Sequence, residues 1–369
     1  RRYPGRVSRR IQIRGTGLIG TSLGIALTRK GYAVSLADPS PTAERLARDL
    51  GAGALAQDAT DPPELVVVAA PPDVAAGVVA LALAECPDAV VTDVASVKGA
   101  VLDALIAVGA PVDRYVGSHP MAGRERSGAA HARGDLFEGR AWVVAPAAGS
   151  SAHAIALVEE IAHAAGSVTS RMDAASHDDA VATISHLPQV AASIVAAQLR
   201  NLDDHALALA GQGVRDVTRI AASDPRLWTQ ILAGNAGAVA RVLHSVIADL
   251  GEVVAALEGL SAPEPGADIG SLEVVSRTIT HGNAGHARIP GKHGAAPTAY
   301  ESVTALVPDT PGELARLLAD VGAAEVNLED LRLDHGLGQP FGLAEILVVP
   351  AAAERLRDAL RREGWRVLE

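Results

Sequence analysis

Gly15-Thr16-Gly17-Leu18-Ile19-Gly20 follows a short strand and opens a helix, and the placement of its three glycines decides the first half of the fold. Gly15 permits a tight turn, Gly17 lets backbone approach a pyrophosphate, and Gly20 allows the helix to pack closely. The helix N-terminus then faces the anion with its unpaired N–H groups. Gly15, Thr16, Gly17, Leu18, Ile19 and Gly20 therefore form the expected cofactor-binding loop. Asp38 ends the second strand, where a carboxylate binds both ribose hydroxyls and repels a 2′-phosphate. The expected cofactor is NAD rather than NADP. Asp38 also reads as a turn-former before Pro39.

Outward from this loop, short apolar runs alternate with helical ones. Ala33 to Ala37, Leu65 to Ala69, Ala89 to Thr92 and Trp142 to Ala145 read as buried strands. Pro72 to Ala84 and Val97 to Val108 read as amphipathic helices between them. The pattern predicts an α/β, doubly wound, mostly parallel sheet of the Rossmann type over residues 7–171.

After Arg171 the strand signals stop. Asp173 to Arg200, Asp203 to Leu209, Asp224 to Gly234 and Ala236 to Leu257 are helical in composition, and Asp224-Pro225 reads as a cap followed by a first-turn proline. Val239, Val242, Leu243, Val246, Ile247 and Leu250 form a single apolar stripe. An all-α domain over 172–260 with so much apolar face is expected to pair with a second copy as a homodimer. Residues 261–298 are rich in Gly, Pro and Ala and read as a linker or mobile loop. That stretch carries His281, His286, His293, Arg288 and Lys292. The histidine spacing matches no rigid ligand geometry, so no metal is expected. Residues 299–369 follow a β-α-β-β-α-β order, which describes a ferredoxin-like unit.

Composition narrows the function. The chain has 369 residues, 32 basic against 43 acidic side chains, and 2% aromatics. A net charge of −11 and few stacking rings argue against a nucleic-acid partner. Cys86 is the single cysteine, which excludes an intrachain disulfide and suits a reducing, cytoplasmic setting. Arg1, Arg2, Arg6, Arg9 and Arg10 read as a frayed arm, because the next residues are not the long apolar run of an export signal. No uninterrupted apolar window approaches the roughly 18 residues of a membrane span.

Three segments carry candidate chemistry. His119 lies in Gly117-Ser118-His119-Pro120-Met121-Ala122-Gly123, read as a glycine-bounded turn. An imidazole titrating near pH ~6.5 can accept a hydroxyl proton while the adjacent carbon gives up hydride. Ser96, in Asp93-Val94-Ala95-Ser96-Val97-Lys98-Gly99, follows a strand at the same edge of the sheet. It reads as a helix N-cap, as a support for the imidazole, or as a substrate contact. Arg215 and Arg219 flank Asp216 on one helical face, either clamping a carboxylate or forming a solvated salt-bridged face.

Taken in order, the glycine loop, Asp93 to Gly99, Gly117 to Gly123, Ser185-His186-Leu187-Pro188, and Asp216-Val-Thr-Arg219 through Asp224-Pro-Arg-Leu-Trp228 resemble prephenate dehydrogenases, the TyrA family, over about residues 9–260. The last 70 residues resemble an ACT domain, with Pro308-Asp309-Thr310-Pro311-Gly312 at its first strand–helix turn, and Arg288-Ile289-Pro290-Gly291-Lys292 resembles the connector. The resemblance implies oxidative decarboxylation of prephenate by NAD to 4-hydroxyphenylpyruvate in tyrosine biosynthesis. It implies His119 as base and Ser96 as its support, with Arg219 on a substrate carboxylate. Glu125 and Asp216 would form an ionic gate with Arg219. His186 belongs to the matching helix, and Trp228 reaches toward a neighbouring subunit's site. It also implies a small amino acid, tyrosine by economy, near Asp309, Gly312 and Asn327.

Two positions depart from the family pattern. Gln189 stands where histidine can occur, and Arg215 where lysine often precedes the aspartate. Both bear on the choice between prephenate and arogenate. A β-hydroxyacid dehydrogenase or imine reductase would use an interdomain lysine, and Asp173 to Arg200 contains none. A non-catalytic amino-acid sensor is opposed by the intact glycine loop, His119 and Arg219.

Overall fold

The structure, a computed structural model, describes residues 9–122, 128–261, 269–289, 300–335 and 340–368. The chain divides into two compact units, Arg1–Leu202 with Val217–Ser245, and Asp203–Asp216 with Val246–Glu369. In the first, strands β1 (Arg10–Arg14), β2 (Ala33–Ala37), β3 (Ala54–Leu55), β4 (Leu65–Val68), β5 (Val90–Asp93), β6 (Tyr115–Pro120), β7 (Ala141–Pro146) and β8 (Val168–Arg171) form one sheet. Their order is β3-β2-β1-β4-β5-β6-β7-β8. Pairing is parallel from β3 through β6, and β7 turns antiparallel to β6.

Both faces of this sheet are covered, which explains its nearly continuous apolar strands. Helices α1 (Leu18–Arg29), α2 (Pro41–Asp49) and α5 (Ala152–Ala164) bury Leu23, Leu27, Ala47, Leu157 and Ile161 against Ile13, Leu36, Leu65 and Val67. On the opposite face, α3 (Pro72–Glu85) and α4 (Gly99–Ala107) bury Val79, Leu83, Val101 and Leu105 against Val66, Val68 and Val91. The Gly117–Gly123 reading as a turn is corrected: Tyr115–Pro120 is strand β6, and His119 is its penultimate residue. Pro120 is tolerated because it closes the strand. Gly117 belongs there because a Cβ would stand 3.0 Å from the Tyr115 hydroxyl.

The central helices are α6 (Ala174–Val181), a π-helical turn (Ala182–His186), α7 (Leu187–Gln198), α8 (Asp204–Leu207), α9 (Gln212–Thr218), α10 (Pro225–Gly234) and α11 (Ala236–Ser261). Asp173 caps α6 through the Ser176 amide at 2.9 Å, and Asp224 accepts from the Arg226 amide at 2.9 Å. The stretch Ala174–Asn201, 28 residues with mean hydropathy 1.4 in its most apolar part, has the length and composition of a membrane span. Its first two turns instead place His177 and Asp178 against the nucleotide-binding sheet.

The reading of 261–298 as a linker is corrected for its middle portion, which forms helix α12 (Ile269–His286). Leu272, Val275 and Ile279 recur every three or four residues without an intervening proline, and Arg277 pairs with Glu252 at 3.0 Å. The glycines at 270, 282 and 285 masked that periodicity. His281 and His286 are exposed on this helix, and His293 lies outside the described residues.

The C-terminal segment comprises β9 (Glu301–Pro308), α13 (Glu313–Ala323), β10 (Asp330–His335), β11 (Phe341–Val348) and α14 (Pro350–Arg362). An antiparallel sheet runs β10-β11-β9, and Val367 bridges Ala305 on the open edge of β9. The last strand is thus shorter than expected, a single bridge. Val303, Ala305 and Val307 alternate inward with Ala344, Ile346 and Val348 across the register, against Leu317, Leu356 and Leu360. The second strand begins at Asp330, five residues after Glu325 at φ 53° follows the end of α13.

Candidate active site

The glycine loop leaves β1 with Gly15 at φ +103°, its amide donating to Ala37 O at 2.8 Å. A Cβ there would lie 2.4 Å from Ala69 O, and one on Gly20 would lie 2.0 Å from Gly15 O. Gly17 opens onto free space, with nothing within 4 Å of its Cβ direction. No side chain caps α1, so its first-turn amides remain available to an anion. Asp38 sits at the end of β2. One oxygen accepts from the Thr16 amide at 2.7 Å and hydroxyl at 2.9 Å, and the other accepts from the Ser40 amide at 2.8 Å. The loop, the open face at Gly17 and the fixed carboxylate fit a dinucleotide.

His119 occupies the carboxyl end of β6, at the edge where open α/β sheets bind ligands. Its Nδ1 lies 2.9 Å from Nε2 of His177 on α6, and His177 Nδ1 lies 2.8 Å from Asp178 Oδ1. The Lys98 amide donates to Asp178 Oδ1 at 2.9 Å and the Gly99 amide to Oδ2 at 2.8 Å, so Asp178 caps α4 from another helix. A Cβ on Gly99 would come within 2.8 Å of that oxygen. Burial opposes the Asp178 charge. Hydrogen bonds from His177 and the two amides nevertheless hold its pKa below the usual carboxylate value. The pKa of His119 is lowered too, but for a base that favours the neutral form. Desolvation, then the positive fields of His177, Lys98 and His186, keep it well below an ordinary imidazole and hence neutral.

Behind His119 lies a buried ionic cluster. The Lys98 ammonium pairs with Asp93 and donates to Ser118 O at 2.7 Å, and the Tyr115 hydroxyl donates to Asp93 at 2.6 Å. Desolvation lowers the Lys98 pKa against the raising influence of Asp93 and Asp178. It also raises Tyr115 well above a free phenol. The sequence reading missed His177, Asp178, Asp93, Lys98 and Tyr115 as site residues. The signal for two of them was present: His177-Asp178-Asp179 is a polar cluster on an otherwise apolar helical stretch.

The remaining candidates divide. Ser96 is half-buried in the β5–α4 connection, but it neither caps α4, whose N-cap is Lys98, nor hydrogen-bonds His119 among the described residues. His186 is buried, its Nδ1 3.2 Å from Asn235 Nδ2, with Trp228 edge-on at 6.1 Å between ring centres. Trp228 thus packs within its own chain. Gln189 is buried at the start of α7, its amide 3.4 Å from the hydroxyls of Ser193 and Ser223. Arg219 is exposed in a 3₁₀ turn packed on α7. Arg215 and Asp216 are exposed on α9, where Asp216 accepts from Gln212 at 2.8 Å. Glu125 lies outside the described residues.

The family model for the prephenate dehydrogenase nucleotide-binding domain matches residues 23–170, and that for the prephenate dehydrogenase dimerization domain matches 173–264. The chain is 38% identical over 361 residues to the Streptomyces niveus protein named "Probable prephenate dehydrogenase NovF", across 95% of this chain and 97% of that one. It is 35% identical over 258 residues to a cyclohexadienyl dehydrogenase of Zymomonas mobilis, across 66% of this chain and 87% of the relative. A crystal structure of A. aeolicus prephenate dehydrogenase with hydroxyphenyl propionate and NAD+ superposes with a TM-score of 0.62. It is 26% identical and covers 75% of this chain and 99% of that one.

Proposed function

The chain belongs to the prephenate dehydrogenase family, and from that premise we propose that it oxidatively decarboxylates prephenate to 4-hydroxyphenylpyruvate in tyrosine biosynthesis. The observation that carries this reading is His119, a neutral imidazole at the ligand-binding edge of a sheet whose first turn fits a dinucleotide. NAD, held by Gly15 to Gly20 and Asp38, supplies the hydride acceptor. His119 takes the ring hydroxyl proton, and loss of the ring carboxylate aromatises the product. Ser96, at the same edge, contacts the substrate. Arg219 binds a substrate carboxylate, and Gln189, buried at the start of α7, bears on the side-chain end. A second copy completes a homodimer through the helical domain, where Ile184, Ile194 and Val195 are exposed. The test is NADH formation with prephenate and arogenate side by side. Faster turnover of arogenate would assign the same chemistry to an amino-acid side chain, and no NADH from either would refute the reading.

Asp38 makes the cofactor choice measurable. The unaltered protein is expected to use NAD far better than NADP, because a 2′-phosphate would meet a carboxylate anchored on both oxygens. Asp38→Ser should narrow that preference. Equal use of both cofactors by the unaltered protein would count against the assignment.

We further propose that the C-terminal segment is an ACT domain whose effector is tyrosine, bound near Asp309, Gly312 and Asn327. Gly312 at φ +97° opens α13, a conformation that leaves its turn free of side-chain bulk. A cavity of about 310 Å³ is lined by Pro308, Arg316, Phe341, Trp365 and Arg366. It offers cations for a carboxylate and aromatic faces for a ring, with Arg316 already 3.8 Å above Trp365. Titration with tyrosine, phenylalanine and tryptophan should show inhibition by tyrosine that vanishes on truncation after Ser261. Inhibition surviving truncation places the effect at the active site, and no response to any of the three removes the sensing role.

A further inference from the structure

We propose that His177 and Asp178 are positioning residues that set the tautomer of His119, leaving its Nε2 as the atom that accepts the substrate proton. The proposal rests on His119 being the base and extends it to a specific nitrogen and a route for the proton.

The order of donors along the chain is forced from one end. Asp178 carries two amide donors, from Lys98 and Gly99, and therefore presents only acceptor lone pairs. His177 Nδ1, 2.8 Å away, must donate to it. When each ring carries one proton, His177 Nε2 is then bare and accepts. His119 Nδ1, 2.9 Å from that nitrogen, must be the donor, which leaves its Nε2 unprotonated. The wrong tautomer would present N–H to the substrate hydroxyl, where no proton could be taken. The charged and titratable groups facing this chain are Lys98 and Asp93 from the β5–α4 segment, and His186 from the π-helical turn. Asn235 holds the backbone beneath it, donating to Asp178 O at 2.7 Å.

The same geometry carries the proton onward. As His119 Nε2 accepts the hydroxyl proton, the Nδ1 proton passes to His177 Nε2. His119 ends neutral with its proton on Nε2, and His177 ends as an imidazolium beside the Asp178 carboxylate. One proton has entered and one positive charge rests next to a fixed negative one, away from the hydride-accepting site. Product release returns the His177 proton to His119 Nδ1 and the Nε2 proton to water.

Side-chain nitrogen-15 NMR of the histidine-labelled full chain at pH 8 reads the tautomer directly. The expected result is His119 protonated on Nδ1, with its signals identified by their loss in His119→Asn. An Nε2–H tautomer in the unaltered protein overturns the proposal, whatever the kinetics. Asp178→Asn adds the second arm, since it removes the carboxylate charge that holds the proton on His177 Nδ1, and one amide orientation sets its own N–H against that nitrogen. It should return His119 to Nε2–H and lower kcat roughly a hundredfold, with KM and NAD affinity within a few fold. A folded Asp178→Asn that keeps kcat within threefold also overturns it. If His119→Asn itself retains turnover, the base assignment fails, while the tautomer measurement still stands or falls alone.

Discussion

His119→Asn is expected to lower turnover by roughly a hundredfold or more while leaving the fold and most substrate binding in place, the usual consequence of losing a positioned general base. The pH dependence sharpens the expectation. Desolvation first, then His177, Lys98 and His186, hold the folded pKa of His119 well below 6.5. The acidic limb of kcat/KM in the unaltered protein should therefore fall below the range of a free imidazole, and it should vanish in the variant. Stability is linked to the same group. In the window between the lowered folded pKa and the unfolded value, the unfolded chain binds more protons, so stability rises with pH. The His119 contribution is complete above the unfolded pKa and is lost as pH falls through the folded one. Asparagine at 119 should flatten that part of the denaturation profile. Normal turnover in the variant would remove the base from the mechanism.

Asp93→Asn should be the most destabilising conservative change in the nucleotide-binding sheet. Asp93 and Lys98 are both fully buried and paired, with Tyr115 donating to the same carboxylate. Removing one partner of such a pair strands the other charge and costs about 3–5 kcal/mol. In a chain of this size that corresponds to a fall in Tm of roughly 5 °C. Asp93 is the main influence raising the Lys98 pKa against desolvation, so its loss depresses that pKa further. The unfolded chain then binds more protons over a wider window below about 10.4, and the variant's deficit should shrink as pH is raised through it. Adding Lys98→Met should recover much of the loss, because the stranded ammonium is gone. A melting temperature within 2 °C of the unaltered protein would show that the pair contributes little.

Local chemistry explains what could be read in advance. Gly15, Gly17 and Gly20 each answer a backbone requirement that no other residue meets at that place, and Asp38 follows at the end of the next strand. Leu65 to Val68 is buried on both faces, so an unbroken apolar run announced it without ambiguity. His119 was legible as a titratable group in a suggestive motif, although its Gly and Pro neighbours disguised a strand. Helix α12 was hidden in the same way, by glycines that outweighed its apolar spacing in a compositional reading.

His177 and Asp178 show where such reading stops. They follow His119 by nearly sixty residues, on a helix whose only sequence signal was a run of four polar residues, Ser176 to Asp179. Their role appears when α6 docks on the amino end of α4 and the Lys98 and Gly99 amides meet a carboxylate. The sequence alone determined the sheet, the dinucleotide loop, the helical second domain, and a histidine able to act as base. Only the tertiary structure decided which neighbours hold that histidine and how burial shifts its proton affinity. Local motifs constrain backbone conformation within a few bonds, whereas hydrogen-bond partnership and desolvation arise from groups brought together across the chain.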